Sequence, residues 1–167
     1  HTNGAAAAIP RMIDMGAEPL LIASTTNVVI AQRLVRRLCV ECREEYRMKK
    51  AEIATLNKTF NLEEVMASLK KESQMKEKLA NVSDWEGVAL FRAKGCDQCG
   101  GEGYHGRIGI YEVFEMTSDI RKLVMESATS EILERAARDG GMLTMVEDGF
   151  LKAILGATSV EEILRVT

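Results

Sequence analysis

Cys39-Val40-Glu41-Cys42 and Cys96-Asp97-Gln98-Cys99 contain all four cysteines of this 167-residue chain. A two-residue gap lets both sulfurs of a pair turn toward one point, and two such pairs complete a tetrahedral thiolate cage. Zinc accepts that cage because its filled d shell imposes no other geometry and thiolates are soft donors. Four protein ligands leave no position for water, so the expected site is structural rather than catalytic. Residues 43–95 separate the pairs, a longer insert than a zinc ribbon usually carries. That stretch must loop out and return, at a closure cost that grows by only about 0.6 kcal/mol per doubling of length. Metal binding can offset such a cost. Two disulfides, a thiol redox pair and four unrelated buried cysteines are the competing readings. The first needs an oxidising compartment, to which nothing in the sequence points, and the second leaves one pair unexplained.

Five glycines, Gly100, Gly101, Gly103, Gly106 and Gly109, follow the second pair. Glycine allows positive φ and close approach of backbone N–H groups to sulfur, so a tight knuckle leading into a strand accounts for most of them. Cys96-x-x-Cys99-x-Gly101-x-Gly103 also resembles the repeat unit of the zinc domain in DnaJ-type chaperones. It occurs once here, whereas those domains use four copies, and Cys39 and Cys42 lack the glycines.

Upstream of the first pair, Ala5 to Met15 has helix-forming composition, with Ile9, Met12 and Ile13 on one side and Gly16 placed as a C-terminal cap. Pro10 is tolerated only in a first turn, which puts the helix start near Ile9. Pro19 opens a second short helix through Ala23. Val28 to Val35, rich in β-branched residues, reads as a buried strand, with helix as its rival. Between the pairs, Leu62, Val65, Met66 and Leu69 have the spacing of an amphipathic helix, and Val88 to Phe91 reads as a short strand. Beyond them, Arg107 to Met116 alternates as another strand. After Thr117 a helical bundle is expected, with stripes at Ile120, Leu123, Val124 and at Ile132, Leu133, Ala136, Ala137. Thr144 with Glu147, and Thr158 with Glu161, have capping-box spacing ahead of the last two helices.

Aromatic residues make up only 5% of the chain, so its core must rest on Leu, Ile, Val, Met and Ala. A net charge of −3 lacks the basic footprint of a nucleic-acid binder. No apolar run approaches the roughly 18 residues of a membrane helix, and no signal peptide is recognisable. The chain opens on His1 rather than methionine, which reads as a fragment.

Several segments, in order, resemble the type II secretion and type IV pilus assembly ATPase family. They are His1-Thr2-Asn3 before a small-residue helix, Met15 to Ser24, Ile30 to Cys39, and Gly95-Cys96-Asp97-Gln98-Cys99 leading into Gly103 to Glu112. Glu147-Asp148-Gly149 and the helix from Thr158 to Thr167 also fit. The resemblance covers nearly the whole chain apart from residues 43–94. It implies an α/β plus α fold: residues 1–38 close a RecA-like P-loop ATPase domain, 39–107 form a tetracysteine zinc-binding subdomain, and 108–167 form a strand and a C-terminal helical subdomain. It implies a cytoplasmic homo-hexamer, peripheral at the inner membrane, that uses ATP and magnesium to drive an inner-membrane platform protein. No transmembrane segment and no nucleic-acid partner are expected.

Under this resemblance His1 matches the family's His box near the ATP phosphates, against a frayed terminus if His1 is read alone. Arg107 resembles a basic residue implicated in ATPase activity, able to approach phosphate across a ring interface; a structural role at the knuckle is the alternative. Arg33 is read as structural, with a nucleotide-side role as its rival. The phosphate cradle itself is missing: none of the 13 glycines precedes a lysine, so this stretch alone is expected not to hydrolyse ATP. The other functional reading is a stand-alone zinc-binding interaction or chaperone-like module.

Overall fold

The computed structural model describes residues 2–167; the His-box assignment falls on His1, which lies outside the described residues. The chain is mixed α/β. It divides into two compact units, each assembled from two stretches of sequence: residues up to Gln32 with Tyr111–Met145, and Arg33–Ile110 with Val146–Thr167. No helix among the described residues is long and apolar enough to cross a membrane.

In the first unit, helix α1 (Ala8–Asp14) starts three residues after Ala5 and places Pro10 in its first turn, where a missing N–H leaves no bond unmade. Gly16, at φ +93°, ends it, with the Gly16 N–H on the Ile13 carbonyl and that of Ala17 on Met12. Pro19 is the first residue of α2 (Pro19–Thr25), the position that suits its fixed φ. The later helix α5 (Ser118–Met125) packs against α2, and α6 (Ser130–Asp139) packs against α5. The Thr117 hydroxyl caps α5 by accepting from the Ile120 N–H at 3.4 Å. Ile9, Ile22, Phe114, Met116, Ile120, Val124, Leu133 and Ala137 form the core. Ile132, expected in the buried stripe of α6, is 47% exposed.

Strand β1 runs over Val28–Leu38 and pairs with β4, Tyr104–Glu115. The strand reading of Val28 to Val35 was therefore right, but its burial was not. Val35 is fully covered, while Val28, Ile30 and Leu34 are exposed. A β-branched run specifies extended backbone on both faces alike, and only packing decides which face is covered.

In the second unit the segment between the cysteine pairs folds. Strand β2 (Glu44–Tyr46) pairs antiparallel with β3 (Leu90–Arg92), Glu44 opposite Arg92 and Tyr46 opposite Leu90. Helices α3 (Lys50–Leu56) and α4 (Leu62–Leu69) lie between them in sequence. All four apolar residues of the expected stripe on α4 are buried. Trp85 donates its ring N–H to the Leu62 carbonyl at 2.9 Å and lies 5.1 Å from the ring of Phe150 on α7 (Met145–Ile154). Phe60 meets Phe150 edge-on at 5.9 Å. Three of the eight aromatics are thus gathered into one cluster, which ties the insert to α7. The last helix, α8 (Val160–Val166), completes this unit. Of the C-terminal helices, α5 and α6 fall in the first unit and α8 in the second.

Candidate metal centre

The ladder of β2 and β3 explains how the two cysteine pairs meet. Cys42 lies two residues before Glu44 and Cys96 four after Arg92, so pairing Glu44 with Arg92 draws both knuckles to the same end of the ribbon. One Sγ from each of the four cysteines lies within 4.8 Å of the other three. Cys39 and Cys96 are 3.9 Å apart, Cys42 and Cys99 3.9 Å, and Cys96 and Cys99 3.8 Å. Sulfurs about 2.3 Å from a central zinc would form a tetrahedron with edges of about 3.8 Å, so the donor set fits that ion. Disulfide bonding is absent, for all four thiols are free.

The backbone prepares the cage for negative charge. The N–H groups of Cys96 and Gly103 donate to Cys99 Sγ at 3.2 and 3.1 Å, and they pull the Cys99 thiol down to about 6. Burial, reinforced by hydrogen bonds with the other three thiols, pushes Cys42 up to about 12. One thiol ionises readily and its neighbour resists; a dication among the four sulfurs resolves that conflict. Gly103 makes the approach possible. Its φ is +77°, and a Cβ there would sit 2.6 Å from that of Ala93.

The base of the cage is fastened to the end of β1. The Cys39 N–H donates to the Gly103 carbonyl at 2.9 Å and that of Leu38 to Ala157 at 2.9 Å. The Thr158 hydroxyl donates to the Arg36 carbonyl at 2.8 Å. Thr158 is therefore not the helix cap that the capping-box spacing predicts. The cap of α8 is Ser159, whose hydroxyl accepts from Glu162 at 3.4 Å, because the Thr158 oxygen is held by β1. Glu162, only 1% exposed, accepts from the Arg36 backbone at 2.7 Å and pairs with Arg36 and Arg165 at 2.8 Å each. The Arg36 guanidinium also lies 4.1 Å from the centre of the Tyr104 ring.

Burial alone would raise the Glu162 carboxyl, but Arg165 and Arg36 outweigh it and hold the group at about 2. A depressed carboxylate stabilises the fold above its unfolded value, near 4.3, and that contribution disappears as pH falls through the folded value. Glu162→Gln should therefore cost on the order of 3 kcal/mol at pH 7. The difference from wild type should shrink steadily between about pH 5 and pH 2. Urea denaturation of both proteins at matched pH measures it, and a difference that stays constant with pH would refute the ion-pair account.

Residues 1–165 match the family model described as Type II/IV secretion system protein. The chain belongs to that family. Within the Type II/IV secretion system proteins, it is 38% identical over all of its length to the Type II secretion system protein E of Pseudomonas aeruginosa. It is 35% identical to the Type IV pilus assembly ATPase PilB of Thermus thermophilus and 36% to the Type II secretion system ATPase E of Vibrio cholerae, again over the whole chain. It spans 28%, 16% and 28% of those relatives respectively.

Of the residues marked by the family resemblance, the structure gathers the four cysteines. Arg33 on β1 and Arg107 on β4 are both exposed, and neither makes an ion pair or side-chain hydrogen bond among the described residues. Sequence reasoning missed Glu162 and Arg36 as the support of the cage. Their signal was weak: a glutamate in the first turn of a helix usually faces solvent, and only the fold brings it to β1.

Proposed function

We propose that this chain is the C-terminal part of a hexameric motor that couples ATP hydrolysis to type II protein secretion or type IV pilus assembly. The observation that carries this reading is the match over residues 1–165 to a family whose relatives are named as secretion and pilus-assembly ATPases. In this reading residues 1–38 close a RecA-like nucleotide domain, 39–107 form the metal-binding subdomain, and 108–167 form a strand and helical subdomain. Cys39, Cys42, Cys96 and Cys99 hold one structural zinc. The ion would supply cross-linking of two remote segments, with no open position for chemistry.

His1 belongs to the nucleotide site, near the ATP phosphates. Arg107, exposed and unpaired in one chain, is free to approach phosphate at the boundary with the next subunit, where its planar fork suits two-point contact. Arg33 has the weaker claim to the nucleotide side. Magnesium and the phosphate cradle come from sequence outside this stretch, for the chain has no glycine followed by lysine. The whole motor acts in the cytoplasm, peripheral to the inner membrane, through a platform protein.

The test is ATP turnover by the full-length hexamer against Arg107→Ala and His1→Ala variants. Loss of about 10²-fold or more in kcat for each, with hexamers and zinc content intact, is the expected result. Unchanged turnover in Arg107→Ala would remove it from the nucleotide site and leave a role at the knuckle.

A further inference from the structure

Glu112 lies on β4, and both of its carboxylate oxygens are engaged by backbone from distant parts of the first unit. One accepts from the Ala5 N–H at 2.7 Å. The other accepts from the Met145 N–H at 3.2 Å, the first residue of α7. The approach to the first site is tight. A Cβ on Gly4 would come within 2.7 Å of the carboxylate oxygen, so a side chain beside Ala5 would push the Glu112 carboxylate from its place. Ala5 and Ala6 are themselves buried, at 1% and 4% exposure. This turn, which precedes α1, is thus held from both sides: its side chains pack inward and its N–H is claimed by a charged acceptor. Neither contact is explained by the metal centre, and neither belongs to a helix cap that the sequence signals.

We infer that Glu112 is a positioning residue for nucleotide turnover, anchoring through Ala5 the stretch that leads back to His1. The inference rests on the His1 assignment proposed above. Its physical basis is the short chain between the anchor and that histidine: only Thr2, Asn3 and Gly4 intervene, so loosening Ala5 frees the whole stretch. A reacting group displaced by about 1 Å loses up to about 10²-fold in rate, while binding of a substrate held mainly elsewhere changes little. The effect should therefore appear in kcat rather than KM.

The experiment uses the full-length hexamer and three variants. Glu112→Gln has a single acceptor oxygen and must release one of the two N–H groups. Gly4→Ala sets a methyl group against the carboxylate. Combining Gly4→Ala with Glu112→Asp shortens the acid and clears that methyl. Expected are kcat values lowered about tenfold or more in Glu112→Gln and Gly4→Ala, with KM for ATP within about twofold of wild type. The double variant should recover several-fold over Gly4→Ala, a coupling that general destabilisation does not produce. Faster amide exchange at Ala5 or Met145 in Glu112→Gln should accompany the loss.

Turnover within about twofold of wild type in Glu112→Gln, or a loss without faster exchange at either amide, overturns the inference. If Glu112→Gln does not fold, Gly4→Ala decides by the same kinetic criteria, together with its rescue. His1→Ala run in parallel separates the two claims. If it abolishes turnover while Glu112→Gln and Gly4→Ala do not, only the positioning role falls. If His1→Ala turns over normally, the nucleotide reading falls and takes this one with it.

Discussion

Replacing Cys99 by serine should take the purified, reduced protein from one zinc per chain to essentially none and should melt the second unit. Serine keeps the size of the side chain but offers a hard, weakly acidic oxygen in place of a thiolate that two backbone N–H groups already favour. Structural zinc binds with apparent free energies of about 10–16 kcal/mol in small zinc domains, most of which appears as folding energy. The second unit has its own hydrophobic core, so its loss should be smaller than that, on the order of 5 kcal/mol. At about 2–4 °C per kcal/mol for a chain of this size, the midpoint should fall by roughly 10–20 °C. Metal analysis and thermal melts with and without a strong chelator measure both quantities. A wild-type protein free of zinc, or one whose melting ignores the chelator, would refute the metal centre.

Phe150→Ala should be the most damaging apolar substitution. Phe150 is completely buried and carries the edge-on contact with Phe60 and the tilted contact with Trp85. Truncating such a phenylalanine costs about 3–5 kcal/mol, because the cavity it leaves is lined by side chains that cannot collapse into it. Trp85 is the chain's sole tryptophan, so its fluorescence reports the same event, shifting to the red as water reaches the ring. Zinc should remain bound, for the ladder between β2 and β3 and the fastening of Cys39 do not involve Phe150. Leu164→Ala, at a residue 44% exposed, serves as the comparison and should change stability by less than about 0.5 kcal/mol. A cost below about 1 kcal/mol for Phe150→Ala would mean that the insert is an appendage rather than part of the core.

Both predictions turn on the segment between the cysteine pairs, where sequence and structure differ most in what they disclose. The stripe on α4 was legible because its apolar residues recur at helical spacing within eight positions. Strand β2 was not. Glu44-Glu45-Tyr46 has no β-favouring run, and it is extended only because Leu90–Arg92 lies beside it with Glu44 held by Lys94 at 2.8 Å. A charged strand of three residues takes its conformation from its partner. The cap of α8 shows the same limit at single-residue scale. Thr158 and Ser159 are equally good cap residues by type, and the hydrogen bond from Thr158 to the Arg36 carbonyl decided between them.

By itself, the sequence determined the cysteine pairs as one donor set, the starts and stops of the helices at Pro19, Gly16 and Thr117, and the family to which the chain belongs. Each cysteine pair and each helix boundary depends on chemistry within a few residues (ligand spacing, backbone constraint and capping oxygen), and the family on such segments recurring in order along the chain. Tertiary structure alone decided that β1 is covered on only part of its length, that Phe60 and Trp85 meet at Phe150, and that Glu112 and Glu162 bind backbone far away in the chain. Those outcomes depend on which surfaces meet, and burial and paired charge acquire their energy only when remote segments exclude water between them.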